Sequence, residues 1–191
     1  MVWAPSAVWD SKSSQWNVFW SSRLYAASDS GHTGAPTLGL IRYATTKDFV
    51  TFSAPKTYNA PAHSQIIDQE FQYLGTPGHY ARFFKNETAG SYIYQELSTN
   101  GVLGPWTRVP GNAVNEGSRE GPAAFADNTV SGKYYMLLDN YTEYLPYETE
   151  DILSAKWRRA TEWTKFPKGL KHGSVTPLTR KEYDAIAAKW A

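Results

Sequence analysis

Three aromatic residues, Phe49, Trp106 and Trp163, follow one another at equal intervals of 57 residues. That spacing constrains the fold more than any other feature of the chain. Each aromatic closes a segment of short β-prone runs separated by turn residues. The first segment reads as strands over 3–9, 16–20 and 39–45, with a turn at 10–14, a polar loop at 28–34 and a closing run at 47–52. The second starts near Ser64 and turns at 75–78. It continues with strands over 80–84 and 92–96 and closes at 104–107. The third starts at Arg119-Glu120-Gly121-Pro122, with strands expected over 134–138 and 152–156 and closure at 161–164. The second strands align across the three units. A repeat of roughly 40 to 60 residues built from four short strands indicates propeller blades. A β-sandwich is the alternative, and it does not predict the even spacing. The expectation is an all-β, single-domain β-propeller over 1–191. Its blades fall at about 3–57, 64–110 and 117–168, and a closing segment with a short helix occupies 170–191.

The helix is expected over 179–190. Thr179 is a candidate N-cap with Glu182 three residues on, a capping box, and Tyr183, Ile186 and Trp190 share one face.

The inner strand of each blade lines a propeller's channel. The starts of three inner strands therefore face one axis: Trp3-Ala4-Pro5, Ile67-Asp68-Gln69 and Arg119-Glu120-Gly121. Asp68 and Glu120 converge from neighbouring blades, where two close carboxylates repel and one of them holds its proton to higher pH. Such an acid can protonate a leaving oxygen at neutral pH. From residues 118–122 alone, a solvated loop acid or an Arg119–Glu120 ion pair is the favoured reading. Glu70, two residues past Asp68, is expected on the same strand face and is a substitute acid. Asp139, at a strand end, reads as a turn acid.

Composition excludes several classes. The chain has no cysteine, which rules out thiol catalysis, disulfides and cysteine-based zinc sites. The net charge is +1 with no basic run, which argues against nucleic acid or an anionic membrane as partner. No stretch is long and apolar enough to span a bilayer as a helix. There is no phosphate-binding glycine loop, zinc-binding His-Glu-x-x-His or serine elbow. No signal peptide is expected from the opening residues, and the start at Trp3 reads as the middle of a larger protein or a trimmed one. Two glycosylation sequons occur, at Asn86 and Asn140. The 8 Trp and 13 Tyr supply β-core packing and also suit the apolar faces of sugars.

These segments resemble glycoside hydrolase family 43, the five-bladed propeller enzymes that act on arabinose- and xylose-containing glycans. The resemblance rests on Trp3-Ala4-Pro5 with 16–22, Ile67-Asp68, Glu120-Gly121-Pro122 with 132–135, and His172-Gly173-Ser174-Val175. It implies inverting hydrolysis without a cofactor or metal, a carbohydrate ligand and a secreted protein. Glu120 takes the family's general-acid position, and Asp68 that of the aspartate that orients this acid and raises its pKa. His172 matches a position near the propeller axis. Trp3 and Arg119 are candidate substrate-binding residues, with Trp9 as a further platform; His32, His63 and His79 have less support. The family's general base lies ahead of the Trp-Ala-Pro segment and has no matching position here. The expected object therefore lacks the N-terminal blade, and it either self-associates through its open blade faces or closes its three blades more tightly. A lectin-like carbohydrate-binding propeller without the base is the alternative function.

Overall fold

In the computed structural model, which describes residues 1–190, the chain forms three four-stranded antiparallel sheets with strands in sequential order. Sheet one contains β1 (Trp3–Asp10), β2 (Gln15–Ser22), β3 (Leu40–Thr46) and β4 (Lys56–Asn59). Sheet two contains β5 (Ile66–Tyr73), β6 (Tyr80–Asn86), β7 (Tyr92–Ser98) and β8 (Thr107–Arg108). Sheet three contains β9 (Glu120–Ala126), β10 (Tyr134–Asp139), β11 (Tyr144–Thr149) and β12 (Arg158–Arg159). These are propeller blades, and α1 (Arg180–Trp190) ends the chain.

The blades stack face to face. Phe19 and Ile41 of the first blade pack with Ile66, Phe71 and Phe84 of the second. Ala81, Phe83 and Ile93 of the second pack with Met136, Leu138 and Tyr147 of the third. The middle blade is therefore covered on both faces, and β6 is buried almost throughout, whereas β1 alternates between more and less exposed positions. Burial on both faces forces charges in β6 to find partners. Arg82 pairs with Glu96 through its Nε (2.8 Å) and lies 4.6 Å from the centre of the Trp106 ring.

The third strand of the last blade departs from the sequence expectation. It is Tyr144–Thr149, and Ile152–Ser154 is a 3₁₀ turn. Pro146 removes one backbone donor and breaks the β-prone pattern in the sequence. Ile152 is apolar because it enters the core, and its carbonyl accepts from the buried Gln95 of the middle blade. The closing strand likewise lies at Arg158–Arg159, ahead of Trp163, whose ring packs 4.6 Å from that of Tyr135.

The capping box forms as expected: Thr179 N–H and Oγ1 both lie 2.7 Å from the Glu182 carboxylate. The helix's apolar residues Tyr183, Ile186 and Trp190 are exposed. No helix among the described residues is long and apolar enough to cross a membrane.

Phe19 carries the seam between the first two blades: its ring centroid lies 4.6 Å from that of Phe71 across the seam and 4.8 Å from that of Tyr58 within its own blade. Phe19→Ala is expected to cost about 3–5 kcal/mol. Urea unfolding of the purified variant checks this, and a loss below about 1 kcal/mol would show that the seam is not part of the cooperative core.

Candidate active site

Each inner strand is kinked near its start, at equivalent registers. Trp3 pairs with Ser21, Ile67 with Lys85 and Glu120 with Asp139, and the register then slips by one residue in all three sheets. The next residue in each case has positive φ: Ala4 (45°), Asp68 (55°) and Gly121 (55°). Such bulges re-aim side chains and are costly for residues other than glycine. His172, in the segment that follows the third blade, has φ of 49° as well.

The kinks bring Asp68, Glu120 and His172 together. One ligating atom from each lies within 4.8 Å of the others. His172 Nε2 is 3.4 Å from Asp68 Oδ2, and its Nδ1 is 3.8 Å from Glu120 Oε1. Gly121 N–H donates to Asp68 Oδ2 (3.3 Å), and Asp68 N–H donates to Ser21 Oγ (2.9 Å). Only glycine fits beside the imidazole: a Cβ on Gly121 would stand 3.0 Å from its ring atoms.

The second-strand ends supply two residues missed in the sequence. Asp139 is fully buried and lies 3.0 Å from His172 Nδ1. It also accepts from Tyr141 N–H, so its strand-end position is not that of a solvated turn acid. An ionised Asp139 places a proton on Nδ1. Lys85 donates to Glu120 Oε2 at 2.8 Å, reaches Glu87 at 3.3 Å, and lies 5.3 Å from the centre of the Tyr141 ring. The cluster could be read as a cation site, but the Lys85 ammonium already supplies a positive charge to Glu120.

Charge and burial set the proton affinities. Burial pushes the Asp68 carboxyl up; His172 and the Gly121 N–H oppose this, and the Glu120 charge is the smallest contribution. The expected mutual repulsion of the two acids is therefore minor beside desolvation. Burial alone would lower the Lys85 ammonium, but the hydrogen bond to Glu120 holds it above the usual lysine range. The Tyr144 hydroxyl is pushed up to about 12 by burial. It accepts from Gly173 N–H (2.5 Å) and lies within hydrogen-bond distance of the Gly121 and Gly173 carbonyls, tying the His172 segment to β9.

The remaining candidates lie elsewhere. Arg119 is turned away from the cluster, with Nε on Tyr147 Oη (3.0 Å) and a terminal nitrogen 3.2 Å from Glu116. The Arg119–Glu120 pair does not form, because Lys85 holds Glu120. Trp3 stands 55% exposed at the register position equivalent to Glu120. Glu70 does not join the cluster, because the extra residue in the β5 bulge breaks the two-residue period. It lines a cavity of about 1650 Å³ along the later halves of the inner strands, together with Trp9, Tyr73, Phe125 and Tyr183. None of Asp68, Glu120 or His172 lines this cavity.

Comparison with protein families matches residues 1–184 to a family related to glycosyl hydrolase family 43 and described as "Probable glycosyl hydrolase domain". The chain belongs to this family. An α-L-arabinofuranosidase of Bifidobacterium longum subsp. longum is 37% identical over 102 residues, which are 49% of this chain and 9% of that protein. Among solved structures, a thermostable family-43 glycoside hydrolase superposes with a TM-score of 0.61 at 18% identity, over 92% of this chain and 61% of the other. A family-43 β-1,3-galactosidase superposes at 0.54 and 15% identity, over 84% of this chain and 32% of the other. The chain thus spans under two thirds of each of these relatives, and the structural likenesses establish the fold alone.

Glu70 gives a pH prediction. Burial pushes its carboxyl up to about 7, with the Phe71 N–H opposing. The folded state therefore holds this proton more tightly than the unfolded one. Stability falls as pH rises from about 4.5, the unfolded value, to about 7, the folded one. Glu70→Gln should remove this slope and leave the variant more stable than the wild type by up to about 2 kcal/mol near pH ~8. Parallel stability–pH curves for the two proteins would show that Glu70 is not desolvated.

Proposed function

We propose that this domain binds arabinose- or xylose-containing glycans and contributes to hydrolysis of their glycosidic bonds, with Glu120 as general acid and Asp68 as the residue that orients it. The observation that carries the reading is the convergence of Asp68, Glu120 and His172 within 4.8 Å at the aligned starts of two inner strands and the closing segment. Membership in the glycosyl hydrolase family supplies the chemical class, and the arabinofuranosidase relative supports a pentose.

The spacing separates the roles. An acid and base acting across a sugar with water between them stand about 6.5–9.5 Å apart. Asp68 and Glu120 are closer than that and cannot flank a sugar, so Asp68 acts on Glu120 and not on the water. We assign no residue of this chain to the general base. Trp3 and the half-exposed Tyr141 ring beside Lys85 are the aromatic surfaces available to a sugar. The second reading is a lectin-like domain, in which the exposed Trp3 and Tyr141 rings hold a sugar without turnover.

Pentose release from aryl arabinofuranosides and xylosides by the purified chain separates the two readings, and binding without release favours the lectin-like one. In an active protein, Glu120→Gln is expected to reduce turnover of substrates with poor leaving groups by about 10²–10⁴-fold. Affinity for the product sugar should stay within about threefold, because the general acid acts in the transition state. Equal loss of binding and turnover would make Glu120 a binding or structural residue instead.

A further inference from the structure

Lys85 is the ammonium bonded to Glu120, and the proposed reaction gives it no part. It is nearly inaccessible, with 4% of its side chain exposed, while its partners Glu120 and Glu87 are 18% and 25% exposed. A buried ammonium is retained only if it is paired. It sits between two carboxylates, 2.8 Å from Glu120 Oε2 and 3.3 Å from Glu87 Oε1. Glu87 is itself held by Gln65, whose amide donates to its other oxygen and whose carbonyl accepts the Glu87 N–H (2.9 Å).

This geometry conflicts with a simple general acid. A general acid must carry a proton, and an ammonium bonded to its carboxylate favours the ionised form. The second carboxylate resolves the conflict, because it gives the ammonium another partner without exposing it to solvent. We propose that Lys85 is a positioning residue for Glu120, shared with Glu87, and that Glu120 becomes available for protonation as Lys85 turns to Glu87. The proton that Glu120 then takes up comes from solvent and leaves with the glycosidic oxygen; none passes between Lys85 and Glu120. Lys85 returns once Glu120 is a carboxylate again. The groups facing Lys85 are Glu120, Glu87 and the Tyr141 ring; those facing Glu120 are Lys85, His172, Asp68 and, across the ladder, Asp139. The catalytic consequence rests on the hydrolase reading, but the shared pairing does not.

The test follows the lysine ε-carbons of the full chain, labelled with ¹³C-lysine, by NMR across alkaline pH. Lys85→Met assigns the signal, and Lys85→Arg serves if that variant does not fold. In the wild type Lys85 should titrate after the exposed lysines. Glu120→Gln should lower its midpoint by at least about one pH unit, since a buried amine loses its strongest partner. Glu87→Gln should lower it by less than half as much. In turnover assays, Glu87→Gln leaves Lys85 without its second partner. Poor leaving groups should then lose about tenfold or more in rate while activated aryl glycosides stay within about threefold, because only the former need the acid. Lys85 titrating with the exposed lysines, or moving more in Glu87→Gln than in Glu120→Gln, would overturn the proposal, as would equal losses for both leaving-group classes. The expected NMR shifts in a protein with no turnover would sink the hydrolase reading and leave the pairing established.

Discussion

The site depends on one backbone constraint, the left-handed corner near the start of each inner strand. A regular strand alternates its side chains between two faces, and Asp68 would then follow the ladder. The extra residue in β5 frees Asp68 from that alternation and turns it toward Gly121 and His172. The same slip in β9 sets Gly121 under the imidazole, where any side chain would collide with it. Backbone strain of this kind costs about 1–3 kcal/mol per residue, and hydrogen bonds offset it, one from the neighbouring blade at Asp68 and one from within the third blade at Gly121. Ser21 Oγ accepts the Asp68 N–H, and Tyr144 Oη reaches the Gly121 carbonyl.

The second-strand ends complete the device. Ser21, Lys85 and Asp139 stand at one register position in successive blades, and each reaches forward to the next unit. Ser21 holds Asp68, Lys85 holds Glu120 and Asp139 holds His172. The cluster is therefore assembled across blade seams, and seam packing such as Phe19 on Phe71 fixes its geometry. Rotating one blade against the next would change the 2.8 Å contact between Lys85 and Glu120 before it disturbed any single sheet.

Much of this was legible in the sequence, because the repeat is carried by local signals. The evenly spaced aromatics and aligned second strands point to blades, and the aligned inner-strand starts single out Asp68 and Glu120. Lys85 and Asp139 were missed although a signal was present. Two large apolar or aromatic residues precede the equivalent position each time, in Phe19-Trp20-Ser21, Phe83-Phe84-Lys85 and Leu137-Leu138-Asp139. Reading Asp139 as a turn acid ignored that register. The third strand of the last blade was illegible for a different reason, since Pro146 hides a strand and Ile152 mimics one. Glu70 was misplaced because two-residue alternation assumes an unbroken ladder. The two sequon asparagines serve local turns: Asn86 is buried and accepts from Thr88 and Ala89 N–H groups, and Asn140 accepts from Thr142 and Glu143.

The charges at the cluster impose an order on its protons. Asp68, Glu120, Asp139 and Glu87 are four carboxyl groups facing one ammonium and one imidazole. Full ionisation of all four would leave excess negative charge in a site where Asp68 and Asp139 are almost wholly inaccessible. Burial pushes the Asp68 carboxyl toward its protonated form, with the His172 ring 3.4 Å away. Lys85 sits instead on Glu120, the more exposed acid of the pair. Burial thus acts on the proton of the inaccessible Asp68, and the more exposed Glu120 is held by a lysine. In the proposed reaction, Glu120 donates a proton after that contact loosens. The proposed chemistry therefore turns on the Lys85–Glu120 contact across the second blade seam more than on repulsion between the two acids.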